Sequence, residues 1–540
     1  MRKVFMPVTV LLGCVALAPP AQADPPSCER VADLALPKAK IASAQVVAAG
    51  SFTPPANLSP WMSGDPATYK RLAAFCRVVA DAGPSADSDI KIEVWMPVSG
   101  WNGRFRGQGN GGFAGEIDYQ SMGIAAGQGY ATAGTDTGHA GSGLDARWAL
   151  GHPEKVIDFG YRGVHEMTQV AKAAIKAFYG KGPVRSYFAG CSNGGRQALM
   201  EAQRFPEDYD GILAGAPANF WTHLLTSALW DAQATTLDER SYIPSSKLPA
   251  IARSVSAACD TQDGVADGVL GDPRQCRFAP AAMLCKDGDS PTCLTAPQVT
   301  ALQKLYEGAR DADGRRIFPG FLPGAEEGEG GWGTWITGSA PGKALLFTFA
   351  NGFFSNMVYD KADWDYKSAN VDRALKAAEG RAARTLDATD PNLKPFKDRG
   401  GKLILYHGWN DPAISALNTI DYYQAVVDTM PSGEVEPFLR LYMAPGVQHC
   451  AGGPGPDSFG QGGAPPPAPA QHSLQLALER WVDGGTAPST VVAARYAERP
   501  SADARAEVKM TRPLCPYPQT VAYKGAGDPN DAASFTCVTK

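Results

Sequence analysis

The sequence predicts an α/β fold interrupted by a large inserted domain. Three observations predict it. Short apolar strands alternate with amphipathic helices up to Gly215, the alternation returns at Lys402–Tyr406, and between them residues 220–395 shift toward Asp, Gly and Trp and carry four cysteines. Alternating strands and helices imply βαβ units and a mainly parallel sheet, because each crossover helix returns the chain to the same end of the sheet. The two flanking parts, 24–219 and 396–540, are expected to form one core.

Arg2 and Lys3 precede an almost wholly apolar run, Val4 to Ala18, and Ala21-Gln22-Ala23 offers a small-residue cleavage site before Asp24. Residues 1–23 therefore read as an export signal cleaved after Ala23, for a periplasmic or secreted protein. Leu11-Leu12-Gly13-Cys14 also has the form of a lipoprotein site, although the apolar run continues past Cys14. Next, Ile90–Met96 alternates and Trp101-Asn102-Gly103 turns into Arg104–Arg106, which reads as a strand pair. A glycine-rich loop follows over 107–115, then a strand at Tyr130–Gly134. Val164–Tyr179 has helical periodicity; Ser186–Gly190 is a strand, Arg196–Arg204 a helix ending before Pro206, and Gly211–Gly215 a strand. Inside the insertion Ala296–Tyr306 is helical. After it come the buried strand Lys402–Tyr406, the strand-like Pro437–Tyr442, a Gly/Pro-rich loop over 452–470 and the helix Leu474–Val482.

Of 540 residues, 50 are basic and 55 acidic, for a net charge of −5. No basic excess favours nucleic acid or an anionic membrane as partner. Beyond the leader no run approaches the ~20 apolar residues of a membrane span. Eleven cysteines leave an even ten once Cys14 is set aside with the leader. In an exported chain that reads as disulfides, and without a C-x2-C pair zinc is disfavoured.

Gly190-Cys191-Ser192-Asn193-Gly194 fits G-x-S-x-G between a strand and a helix, the setting in which such a turn lifts a serine oxygen clear of a sheet. A serine nucleophile needs a base and an orienting acid, in the chain order Ser, Asp or Glu, His. Among seven histidines only His407, His449 and His472 follow Ser192 in the returning core. His449 lies in a loop after a strand, the expected place for the base; His407 ends a strand and is expected to pack near the site, and His472 begins a helix. Asp411, after the strand Leu403–Gly408, is the candidate acid. Its alternative role is a helix cap or Asx-turn before Pro412. Asp411 stands 219 positions after Ser192, and this interval contains the insertion, which would lie over the carboxyl ends of the strands as a lid. Cys191 precedes Ser192 and Cys450 follows His449; if they pair, the bond ties nucleophile to base across a long loop. The Asn193 amide is one oxyanion donor, and the loop Gly109–Gly112 supplies the second, with Gly112 chosen and Gly111 its neighbour.

Asp260, Asp263 and Asp267 crowd three carboxylates into eight residues, with glycines at 264 and 268 that let the carbonyls of Val265 and Val269 turn inward. Unpaired, these charges repel. A hard cation such as Ca2+ removes that cost, in a structural role far from Ser192 in sequence; a solvated acidic turn is the alternative.

Together Cys191-Ser192, Asp411, His449-Cys450, the Asp260–Val269 loop and the ten cysteines resemble the tannase and feruloyl esterase family, which also contains mono(2-hydroxyethyl) terephthalate hydrolases. The resemblance covers nearly the whole mature chain. It implies an α/β-hydrolase core with a lid, a Ser192–Asp411–His449 triad, and calcium bound by Asp260, Asp263, Val265, Asp267 and Val269. It also implies the bridges Cys28–Cys76, Cys191–Cys450, Cys259–Cys276, Cys285–Cys293 and Cys515–Cys537. The family's terephthalate hydrolases use a lid arginine near a Phe-Ser pair; Phe354-Ser355 resembles that pair, yet no Lys or Arg lies between Lys343 and Lys361. The missing carboxylate clamp favours a neutral phenolic ester, feruloyl or galloyl, as the small-molecule partner. Trp332, Trp335, Phe354 and Ser355 are the candidate substrate contacts, with lid packing as their alternative role. A serine peptidase of the same fold and a calcium-stabilised binding protein with a dead site are the competing functions.

Overall fold

The computed structural model describes residues 27–461, 472–498 and 506–539, together with residues 1, 2 and 4. Apart from those three positions, the expected export signal, including Cys14, lies outside the described residues.

Nine strands form one mixed sheet: β1 (Ala39–Val47), β2 (Phe75–Ala82), β3 (Ile90–Pro97), β4 (Arg104–Gln108), β5 (Ala131–Thr135), β6 (Arg185–Cys191), β7 (Gly211–Gly215), β8 (Lys402–Gly408) and β9 (Leu439–Ala444). Their spatial order is β1-β2-β3-β5-β4-β6-β7-β8-β9. From β1 through β5 neighbours run antiparallel, and from β5 through β9 they run parallel. The expected pairing of Ile90–Met96 with Arg104–Arg106 is corrected: β5 lies between the two strands. Two antiparallel hairpins follow near the C-terminus, β10 (Val491–Tyr496) with β11 (Val508–Leu514) and β12 (Thr520–Tyr523) with β13 (Phe535–Val538).

Both faces of the parallel half are apolar, with the period of two that a strand imposes. Phe188, Ile212, Ala214, Leu403, Leu405, Leu439 and Leu441 point to the face covered by the helices Gly163–Tyr179, Asn193–Arg204 and Ala416–Thr429. Tyr187, Ala189, Leu213, Ile404, Tyr406 and Tyr442 point to the other, under the helix Leu474–Gly484.

Residues 220–395 add no strand to this sheet. They are mainly helical, including Trp221–Thr236, Leu248–Cys259, Ala296–Glu307 and Leu345–Phe353. Thr295 and Gln298 form a capping box at the start of the third of these. The apolar cluster of this region takes in Phe113, Ala146, Ala218, Ala413 and Ile414, residues just past the carboxyl ends of β4, β5, β7 and β8. The region is thereby seated at that end of the sheet.

Five disulfides join Cys28–Cys76, Cys191–Cys450, Cys259–Cys276, Cys285–Cys293 and Cys515–Cys537, the five pairings the family resemblance implied. Among the described residues no helix is long and apolar enough to cross a membrane.

Candidate active site

Ser192 sits between the end of β6 and the helix Asn193–Arg204, at φ 64° and ψ −121°. A side-chain-bearing residue held there is strained by about 1–3 kcal/mol, and persists only because its surroundings over-determine it. Its N–H donates to the Gly215 carbonyl at 3.0 Å, and its carbonyl accepts from Arg196 at 3.0 Å and Ala218 at 3.1 Å. The helix can start this close only with glycine at two positions: a Cβ on Gly190 would lie 2.6 Å from the Gly194 carbonyl oxygen, and one on Gly109 would lie 2.7 Å from Gly194 Cα. The Ser192 hydroxyl does not cap the helix it opens, so Oγ is left for other chemistry.

Asp411 follows β8 and is 3 % exposed. Its Oδ1 accepts from the amides of Ala413 (2.8 Å) and Ile414 (2.9 Å); its Oδ2 accepts from His449 Nδ1 (2.8 Å) and His407 Nε2 (3.1 Å). Burial pushes this carboxyl's pKa up, but the two imidazoles outweigh burial and hold it well below the usual carboxylate range. The bond to Asp411 fixes the hydrogen of His449 on Nδ1 and leaves Nε2 as an acceptor. His407 Nε2 has a second acceptor, the Ile414 carbonyl at 3.0 Å, and its Nδ1 meets the Thr419 hydroxyl at 2.7 Å. His407 therefore packs at the site, as its place at a strand end suggested.

Cys191 and Cys450 are bonded, with Cα atoms 6.0 Å apart, so the residue before Ser192 and the residue after His449 are one covalent unit. The Trp335 ring stands edge-to-face to His449 at 5.0 Å. Trp335 is near-parallel to Phe349 at 6.3 Å, and Phe349 meets Phe113 at 5.3 Å. A Cβ on Gly112 would come within 3.2 Å of Phe349, which puts the candidate oxyanion glycine on the same aromatic wall. Gly112 has φ +55°, and its Cβ would also strike the Gly143 carbonyl at 2.3 Å, so only glycine fits.

A family model described as tannase and feruloyl esterase matches residues 76–538. An uncharacterized esterase of Xanthomonas campestris pv. campestris is 40% identical over 99% of this chain and 95% of its own length. A probable feruloyl esterase B of Aspergillus clavatus is 33% identical over 86% of each chain. The crystal structure of feruloyl esterase B from Aspergillus oryzae superposes with a TM-score of 0.84 at 30% identity, covering 95% of this chain and 100% of that one.

The chain belongs to the tannase and feruloyl esterase family. It is an esterase with an α/β fold.

Three of the four expected substrate contacts are corrected by where the esterase puts them. Trp332 is fully buried against Tyr306 (5.5 Å) and Phe321 (6.2 Å). Phe354, also fully buried, packs on Phe353 (5.1 Å) and Trp364 (5.1 Å). The Ser355 hydroxyl donates to the Asn351 carbonyl one helical turn back, at 2.6 Å. None of the three has surface to offer a ligand; they pack the 220–395 region. Trp335 alone stands beside His449. Sequence reasoning missed Phe349, whose one signal was the aromatic helix Leu345–Phe353.

The acidic loop lies elsewhere in the esterase, against its C-terminal hairpins. The Asp260 carboxylate accepts from Gly268 N–H (3.0 Å), Asp263 from Val265 N–H (3.3 Å), and Asp267 from Val269 N–H (3.0 Å). Arg512, missed from sequence, donates to Asp267 Oδ2 at 2.6 Å and lies 3.8 Å over the Phe535 ring. Burial, then the charges of Asp267 and Asp260, push Asp263 up to about 6 against the partial relief of Arg512. The donor set is all oxygen, and the buried Gln262 Oε1 beside it has no hydrogen-bond partner. That chemistry fits a hard cation.

Proposed function

We propose that this esterase is an exported serine carboxylic ester hydrolase that cleaves esters of aromatic acids, feruloyl or galloyl, through an acyl-enzyme. The observation that carries the reading is the Asp411–His449 hydrogen bond at 2.8 Å, joined through the Cys450–Cys191 bridge to a serine at φ 64°. His449 Nε2 takes the proton of Ser192 as Oγ attacks the ester carbonyl, while Asp411 orients the imidazole and offsets its charge. The amides of Asn193 and Gly112 hold the oxyanion. The alcohol leaves with the proton from His449, an aroyl-Ser192 ester remains, and water activated by the same imidazole releases the acid.

Residues 24–219 and 396–540 are read as an α/β-hydrolase core and 220–395 as a lid. Support comes from Ser192, Asp411 and His449 each following a parallel strand, and from contacts of the 220–395 region with the base and acid loops. Gln448 donates to the Glu327 carbonyl at 2.9 Å, and Asn410 to that of Gly324. Trp335, backed by the buried rings of Phe349 and Phe113, provides an apolar surface for a planar acyl group, and relatives are named feruloyl esterase. No Lys or Arg lies between Lys343 and Lys361, which favours a neutral ester over a terephthalate monoester. Five disulfides favour an oxidising compartment, periplasmic or outside the cell. The carboxylates of Asp260, Asp263 and Asp267, with the carbonyls of Val265 and Val269, would hold Ca2+. When bound, the ion supplies charge neutralisation in the loop and no chemistry at Ser192.

The test is hydrolysis of methyl ferulate, methyl gallate and mono(2-hydroxyethyl) terephthalate side by side, with Ser192→Ala as control. Turnover of a phenolic ester that the variant loses supports the reading. Preference for the terephthalate ester overturns the argument from the missing cation, and turnover retained in Ser192→Ala overturns the triad.

A further inference from the structure

The two candidate oxyanion amides belong to different parts of the chain. Asn193 opens the helix after the nucleophile, and Gly112 lies in the loop after β4. Nothing in the backbone pairing of β4 with β6 reaches that far, since their ladder ends at Gln108 and Ala189. A ladder of side chains continues it. Gln197, one turn into the nucleophile helix and 1 % exposed, accepts from the Asn110 N–H at 3.1 Å through Oε1. Its Nε2 donates to Asn110 Oδ1 at 2.8 Å, which also accepts from Asn193 Nδ2 at 3.2 Å. Asn110 Nδ2 donates to the Thr135 carbonyl at the end of β5, at 3.0 Å. Asn193 Oδ1 in turn accepts from Arg196 Nε at 2.9 Å, and the Arg196 guanidinium is buried 4.7 Å from the Phe159 ring and 5.1 Å from the Trp221 ring.

This arrangement does two things for the loop. It engages the Asn110 amide, and among the backbone bonds of the described residues the next two amides, Gly111 and Gly112, donate to no acceptor. It also locks the loop to the helix by paired bonds between Asn110 and Gln197, buried where such bonds are strongest and where losing one leaves a polar group stranded.

We infer that Gln197 and Asn110 are positioning residues for the oxyanion hole, setting the Gly112 amide against the Asn193 amide. The inference rests on the serine-hydrolase reading above. It separates the two jobs of the site: the disulfide sets the Ser192–His449 relation, and the Asn110–Gln197 clamp sets the oxyanion relation. Loss of the clamp therefore leaves nucleophile and base intact and costs only stabilisation of the tetrahedral stage, which appears in kcat rather than in KM.

The experiment compares wild type, Ser192→Ala, Gln197→Met and Gln197→Glu on one phenolic ester. Gln197→Met keeps the volume of the side chain and removes both clamp bonds; Gln197→Glu keeps the acceptor for the Asn110 N–H. Thermal melting of each variant is measured alongside. With wild type active and Ser192→Ala inactive, Gln197→Met is expected to lower kcat roughly 10- to 100-fold with KM within about twofold. Affinity for an aryl boronic acid, a tetrahedral-adduct mimic, falls in parallel, and Gln197→Glu recovers part of both. The inference is overturned if folded Gln197→Met keeps wild-type kcat, or if its loss appears in KM. It is overturned as well if boronate affinity is unchanged, or if Gln197→Glu is no better than Gln197→Met at equal folded fraction. Turnover surviving in Ser192→Ala would instead sink the serine reading and this inference with it.

Discussion

The Ser192 corner and the acidic loop are built from the same materials, carboxylates shielded from water to different degrees, glycine turns and a disulfide, and reach opposite electrostatic states. At the corner, Asp411 receives four donors, two amides and two imidazoles, and is held well below the ordinary carboxylate range despite burial. In the loop, Asp263 has one amide donor at 3.3 Å and two like-charged neighbours, and is pushed up to about 6. A carboxylate supplied with donors is pre-organised and needs nothing added; one that lacks them calls for a proton or a cation. The first arrangement suits chemistry that must work without rearrangement, the second a structural ion that holds a loop.

The largest expected break falls at the corner. Ser192→Ala should cut ester turnover by at least about 10⁴-fold, measured as kcat at saturating ester, with the fold intact by circular dichroism. Next, the double variant Cys191→Ser, Cys450→Ser should lower both kcat and Tm. The bridge spans 259 residues, so chain entropy allows it about 5 kcal/mol as an upper bound. A drop in Tm without a drop in kcat would reduce the bridge to a staple.

The loop should respond to metal rather than to substrate. EDTA is expected to lower Tm by several degrees, and added Ca2+ to restore it; at 100 times Kd the ion would contribute about 2.7 kcal/mol. The pH dependence sharpens the contrast. Asp263 is raised in the folded chain above the ordinary carboxylate value of 3.8, so without metal the folded state holds its proton more tightly. Its contribution to stability is favourable at low pH and lost as pH rises from about 4 to about 6. Metal-free Asp263→Asn should therefore melt higher than metal-free wild type at pH 7 and match it near pH 4; equal melting at both would contradict the frustrated-loop account. The smallest effect is expected at His407, which supports Asp411 without facing the ester. His407→Gln should lower kcat by about 10-fold or less and leave KM unchanged.

The corner was legible in the sequence because local constraints converge there: glycines at 190 and 194 around a serine, a strand before it, and later strands ending in Asp411 and His449. Even the role of His407 followed from its place at a strand end. Contacts that cross the chain were not legible. Arg512 reaches Asp267 from 245 residues away, and nothing near either residue announces the pair. Asn110 and Gln197 look like ordinary polar residues until β4 and β6 lie side by side. Trp332 and Trp335 share one short helix, and composition does not tell which ring enters the core and which faces His449. β1 escaped notice because its side chains are mostly exposed at the sheet edge and show no clean alternation, while β5 between β3 and β4 reflects a topology that no local turn signal encodes.

The central claim, a serine made nucleophilic by the Asp411–His449 pair, is tested most directly by pre-steady-state hydrolysis of an activated aromatic ester with intact-mass detection. The account predicts a burst of alcohol equal to the enzyme concentration and a single aroyl adduct that maps to Ser192, both absent in Ser192→Ala. Turnover with neither burst nor adduct, persisting in Ser192→Ala, would contradict it.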